Sequence, residues 1–131
     1  FVLIMKDDFS ITNLTKGKLP GLPFAMMKTK ILGSKYNLSL VFVDEKKSQE
    51  LNKTYREKDN PTNVLSFPYS KKNGEIFICI RVAKKQASDY GKTWQEFVGF
   101  LVIHGILHLK GMQHGSTMEV QEEKFSKIFK C

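Results

Sequence analysis

His104, His108 and His114 are the only histidines of this chain, and all of them fall within the stretch His104-Gly-Ile-Leu-His108-Leu-Lys-Gly111-Met-Gln-His114. Any fold has to accommodate that clustering. The first two are four positions apart, so on a helix they share one face, a single turn apart. Two imidazole nitrogens then sit near one point. The helix face turns away after that, and a third ligand has to come from elsewhere. Gly111 permits the sharp reversal that could return His114 to the same point. Three imidazoles with one position left open form the pattern of a catalytic zinc site, whereas a structural site normally fills four positions, commonly with thiolates. A lone histidine on an apolar helix face is usually a core residue, and a pair at this spacing arises often by chance. Three with a glycine turn between the last two arise much less often, so one bound metal ion is expected. Three imidazoles also suit copper or nickel.

The surrounding sequence supports a well-bounded helix. Thr93-Trp-Gln-Glu96 is a capping box, Phe97, Phe100, Leu101, His104, Leu107 and His108 recur at helical spacing, and Gly111 supplies the stop. Ser116-Thr-Met-Glu119 reads as a second capping box, opening a C-terminal helix with Phe125, Ile128 and Phe129 facing inward. Earlier, Phe24, Met27, Ile31 and Leu32 mark a helix ended by Gly33. Ser48 can cap a short helix carrying Leu51 and Tyr55, and Val82 to Ala87 begin a helix stopped by Gly91. Phe1–Met5, Leu38–Val43, Val64–Tyr69 and Glu75–Ile80 read as strands, the last two joined through a Lys71–Gly74 turn as a hairpin. Pro68 confines its strand to an edge or a bulge. The expectation is an α+β fold, a small mixed four-stranded sheet covered by about five helices, with the metal site at a helix end and its following turn.

With 131 residues and no linker or repeat, the chain is read as one domain over 1–131. Its longest apolar run, Phe97–Leu109, carries two glycines and two histidines, too short and too polar to cross a bilayer. Phe1–Met5 is too short for a signal-peptide core. Two cysteines, Cys79 and Cys131, make no secreted disulfide framework and are read as free thiols in a reducing compartment, so a cytosolic protein is expected. The net charge of +8 suits an anionic partner such as nucleic acid, although scattered lysines, among them Lys28, Lys46, Lys71 and Lys84, are equally consistent with a solvated surface.

The His-x3-His-x5-His spacing matches metzincin proteases except at one position. Those enzymes carry a Glu general base directly after the first histidine; here that position is Gly105. The metal ligands are kept and the peptide-cleaving base is lost. The same stretch resembles the HGxLHLxGYDH signature of the bacterial YbeY family of rRNA maturation factors. A second block, Leu51 to Pro68, is similar to that family's LNxxYRxKDxPTxVLSFP, and Gly74-Glu75-Ile76 is similar to its GD(I/L) hairpin. Two features depart from the pattern. Met112-Gln113 stands where the family has Tyr-Asp, and Glu75 stands for Asp.

The resemblance implies a zinc-dependent, single-strand-specific endoribonuclease acting in 16S rRNA 3′-end maturation and ribosome quality control. It implies one Zn²⁺ on His104, His108 and His114, and rRNA, ribosomal subunits and small-subunit assembly proteins as partners, with no membrane. Arg56 matches the family's functional arginine, so the catalytic residues are expected to be Arg56 and His114, with Arg56 also contacting RNA. From the residues alone, Arg56 is as readily a surface partner of Glu57 or Asp59. Ser66 and Pro61-Thr62-Asn63 read as structural, and Tyr55 and Trp94 as packing residues rather than base-stacking ones. Two other functions fit the residues: a non-catalytic zinc-containing ribosome assembly factor, and another zinc hydrolase such as a peptidase.

Overall fold

The computed structural model describes the backbone of Val2–Lys6 and residues 8–131. Its elements run β1 (Val2–Lys6), β2 (Phe9–Asn13), α1 (Phe24–Leu32), β3 (Asn37–Phe42), α2 (Glu45–Arg56), β4 (Val64–Ser70), β5 (Asn73–Ile78), α3 (Ile80–Gln86), α4 (Trp94–Leu109) and α5 (Ser116–Phe129). The α+β class and mixed sheet are as expected, but the sheet has five strands in the order β1-β2-β3-β5-β4. The additional strand is β2. Its alternation is short and diluted by Ser10, Thr12 and Asn13, yet Phe9, Ile11 and Asn13 all face inward. β2, β3 and β5 run parallel, while β1 and β4 pair antiparallel at the two edges. Phe1, expected to begin the first strand, lies outside the described residues.

α4 organises the core. Val98, Ile103, Ile106 and Leu107 are fully enclosed, and Phe97, Leu101, Val102 and Leu109 nearly so. A helix apolar on most of its circumference has to be surrounded, and α4 packs on β4, β5, α1, α3 and α5. Pro68 falls on edge strand β4 beside a register shift between Pro68 and Ser70, where its missing N–H breaks no ladder.

Several local expectations are corrected. Asp44, not Ser48, caps α2, accepting a bond from the Lys47 amide at 2.8 Å. Ser48 is instead buried inside the helix, where its hydroxyl donates to the Thr62 carbonyl (2.7 Å) and accepts from the Thr62 amide (2.9 Å). The Ser116 capping box does not form, because Gly115, at φ 151°, is the N-cap and Ser116 is already helical. Ile128, expected to face inward, is 44% exposed, whereas Phe125 is buried and Phe129 is partly buried against the core. The hairpin turn is shorter than expected, Lys71-Lys72 alone, which places Asn73 and Gly74 inside β5. A Cβ on Gly74 would meet Tyr36 Oη and come within 2.9 Å of Leu109. Lys28 is buried, its Nζ donating to the Ser34 carbonyl at 3.0 Å. Cys79 and Cys131 are buried free thiols, as expected, and burial pushes both pKa values up.

Candidate metal centre

The capping box at the start of α4 forms as expected. Thr93 Oγ1 accepts from the Glu96 amide (3.1 Å) and Glu96 Oε1 from the Thr93 amide (2.8 Å). With the start of the helix set in this way, His104 and His108 emerge on one face near its C-terminal end. The chain then leaves the helix by a paired closure. The Gly111 amide bonds to the His108 carbonyl (2.9 Å) and the Met112 amide to the Leu107 carbonyl (3.1 Å), with Gly111 at φ 101°. Such a closure wants a residue free to take positive φ. It carries the chain back on itself and returns the exposed His114 to the pair. One nitrogen of each ring lies within 4.8 Å of the others, an arrangement that can hold a metal ion.

The outer nitrogens determine which atoms face the centre. His104 Nδ1 lies 2.7 Å from Glu122 Oε2, and His108 Nδ1 lies 3.1 Å from the Met112 carbonyl. A carboxylate and a carbonyl only accept, so in a neutral ring each Nδ1 carries the proton and donates it, leaving Nε2 as a lone pair. The two Nε2 atoms stand 3.1 Å apart. Burial, followed by the neighbouring His104 and His114, holds the pKa of His108 below its ordinary value. Two unprotonated nitrogens at that separation repel unless a cation lies between their lone pairs. This donor set therefore fits a metal, and its outer hydrogen bonds are those that orient imidazole ligands. Glu122 was not singled out from the sequence. Its signal is a carboxylate at the same helical spacing as buried Met118 and Phe125, on the inward face of α5.

Gly105 has a packing role. A Cβ there would come within 2.9 Å of Ser66 Oγ and 3.1 Å of Ile76 Cδ1. α4 lies so close to β4 and β5 that any side chain at this position would press on Ser66 and Ile76. Ser66 Oγ donates weakly to the Gly105 carbonyl at 3.4 Å, in keeping with its structural reading.

The histidines open onto a cleft of about 630 Å³ whose far wall is the end of α2 and the strand β4: Tyr55, Arg56, Asn63, Ser66 and Phe67, with Gln113 beside His114. Arg56 is thus in the same cleft as all three histidines. Among the described residues no carboxylate pairs with it, and Asp59 instead lies 3.9 Å from Lys53. The Pro61–Asn63 segment is held in place from several sides. Besides the bonds from Ser48 to Thr62, Asn63 Nδ2 donates to Gln86 Oε1 at 2.8 Å. Trp94 packs against the core, with Lys84 Nζ 4.4 Å above its ring. Tyr55, expected to pack inward, is 64% exposed.

The fold and site define an α+β protein with a three-histidine centre at a helix end, opening onto an arginine-bearing cleft. A sequence model of the family described as Endoribonuclease YbeY matches residues 11–129. Similar proteins, each named Endoribonuclease YbeY, include those of Acholeplasma laidlawii (43% identical over 90 residues, 66% of each chain) and Colwellia psychrerythraea (44% over 94 residues, 66% of this chain and 61% of that one). The Staphylococcus aureus protein is 38% identical over 99 residues, 65% of this chain and 64% of its own. The solution structure of Thermotoga maritima TM1509 superposes with a TM-score of 0.64 at 28% identity, covering 89% of this chain and 85% of that one. This chain belongs to the YbeY family. The match spans just under two thirds of the length of these curated relatives. No helix among the described residues is long and apolar enough to cross a membrane.

Proposed function

We propose that this protein is a zinc-dependent endoribonuclease that cuts single-stranded RNA, acting as one domain over residues 1–131 in 16S rRNA 3′-end maturation and ribosome quality control. The observation that carries the reading is the convergence of three imidazoles and Arg56 on one open cleft. His104, His108 and His114 would hold the ion, and zinc suits three imidazoles with a position left open. When bound, the ion supplies a Lewis acid beside the scissile phosphodiester. Arg56 can grip a phosphate through two parallel N–H bonds and offset the charge that builds on it during cleavage. His104 is oriented by Glu122 and His108 by the Met112 carbonyl. The basic surface, +8 overall, favours approach of an RNA backbone. Cytoplasmic ribosomal subunits and their assembly proteins are the partners this reading implies.

Elemental analysis combined with cleavage of a defined rRNA 3′ fragment tests it. One zinc per chain is expected, with cutting abolished by a chelator and by His108→Ala; Arg56→Ala should keep the zinc and lose rate. Stoichiometric zinc with RNA left intact would favour a non-catalytic assembly factor. Cleavage of peptides but not RNA would favour another hydrolase, against which the missing carboxylate at Gly105 already argues. A 2′,3′-cyclic phosphate on the product would identify the RNA 2′-hydroxyl as the nucleophile.

A further inference from the structure

We propose that Tyr55 is a stacking platform for an unpaired nucleobase at the mouth of the metal cleft. The inference rests on the RNA reading above and adds a binding site to it.

Four aromatic rings stand out among those at the surface, and of these four Tyr55 alone lines the cleft of the histidines. Tyr90 is 56% exposed but stacked on Phe97, with centroids 4.6 Å apart at 23°. Trp94 has Lys84 over its ring. Tyr69 is tied through its hydroxyl to Glu75 at 2.7 Å. Tyr55 remains. It lies in the last turn of α2, is 64% exposed, and lines the same cleft as the histidines.

Tyr55 is also held in place. Its ring meets Phe67 at 5.1 Å and 61°, and Phe67 meets Phe77 at 5.7 Å and 74°. Phe67 alternates along β4 with Ser66, which reaches α4, so Phe67 and its cross-strand neighbours lie on the opposite face of the sheet. An edge-to-face contact uses at most one face of a ring. Tyr55 is therefore braced from one side and keeps a flat face free. Leaving so large an apolar surface in water has no packing return.

The adjacent residue is Arg56. Consecutive positions at one helix end thus offer a π-face and a guanidinium to the cleft, matching the base and phosphate of one nucleotide. Base–aromatic stacking tolerates any base because every base has a π-face. In a duplex both faces of a base are covered by its neighbours, so only an unpaired base can reach the ring. Tyr55 would thereby select single strands by access rather than by sequence.

The test is a cycle between protein and RNA. Single-stranded oligonucleotides containing the cleavage site, each with one abasic position, are cut by wild type and by Tyr55→Leu, both loaded with zinc. Wild type should lose roughly tenfold in kcat/KM at one abasic position near the cut. Tyr55→Leu should lose about as much on intact RNA and nothing further on that abasic RNA; Tyr55→Phe, which restores the ring, should recover the wild-type pattern. In parallel, an RNA carrying 2-aminopurine at that position should be quenched on binding wild type and not on binding Tyr55→Leu. Additive losses, or wild-type cleavage and quenching by Tyr55→Leu, would overturn the platform and leave the ribonuclease reading intact. If no RNA is cut but quenching depends on Tyr55, the platform stands and the catalytic reading falls. If a folded protein partner binds through Tyr55 while RNA does not quench, the surface is a protein interface and the proposal is wrong.

Discussion

Glu122 Oε2 lies 2.7 Å from His104 Nδ1, across eighteen residues that carry the chain off one helix, round a glycine turn and onto the next. This bond joins α5 to the metal centre without supplying a ligand. Loss of such an outer partner typically lowers metal affinity ~10–100-fold. Glu122→Ala should do so, with Glu122→Gln weakened less because its amide oxygen still accepts a hydrogen bond. Competition against a chelating dye reads the affinity directly; unchanged affinity in Glu122→Ala would remove the carboxylate from the site.

Gly105 sets two effects against each other. Alanine is better than glycine in a helix interior by ~1 kcal/mol. Overpacking a filled position costs ~1–3 kcal/mol, and here the added Cβ would press on Ile76, which is fully enclosed. The steric effect wins, so Gly105→Ala should lower stability by about 1 kcal/mol and Gly105→Glu should disrupt the contact between α4 and the sheet. A urea midpoint that rises in Gly105→Ala would show that the sheet gives way.

The pH dependence of the metal-free protein follows from His108, whose pKa lies below its ordinary 6.5 because of burial and the charges of His104 and His114. The unfolded chain takes up this proton near 6.5, the folded chain only at lower pH. Between those values the unfolded state binds more protons, so stability rises with pH. It is fully present above 6.5 and lost as pH falls through the folded value. Urea titrations from neutral pH down to about 5 should show this slope, and His108→Asn should flatten it. A wild-type protein equally stable across that range would contradict the assignment.

The two candidate caps separate cleanly. Thr93→Ala removes a formed reciprocal cap and should cost ~1 kcal/mol. Ser116→Ala touches no cap and should change stability by only a few tenths of a kcal/mol. Equal losses would mean that α5 begins with a serine cap after all.

The legible parts of the fold were those set by local chemistry. The Thr93 capping box, the Gly111 reversal and the four-residue histidine spacing each depend on a few neighbouring residues. Together they were enough to bring His104, His108 and His114 to one point. The outer partner on the second helix was harder to see, because Glu122 is brought to His104 by packing between α4 and α5, whereas the Met112 carbonyl lies in the turn that follows His108. Ser48 and Ser116 misled for a related reason. Each has the composition of a cap, but the helix starts elsewhere, at Asp44 and Gly115. That Gly105 lacks the protease base is legible in the sequence, while its nearness to Ser66 and Ile76 is contained only in the tertiary structure. β2 escaped because three of its five residues are polar.

Strand edges carry unspent N–H and C=O groups, and a second chain can dock on them by extending the sheet. β4 is such an edge, and it is also the wall of the metal cleft. Pro68 and the register shift after it break its hydrogen-bonding rhythm beside the histidines. A neighbouring copy therefore finds no continuous template along that rim, and the cleft is not walled off by an added strand.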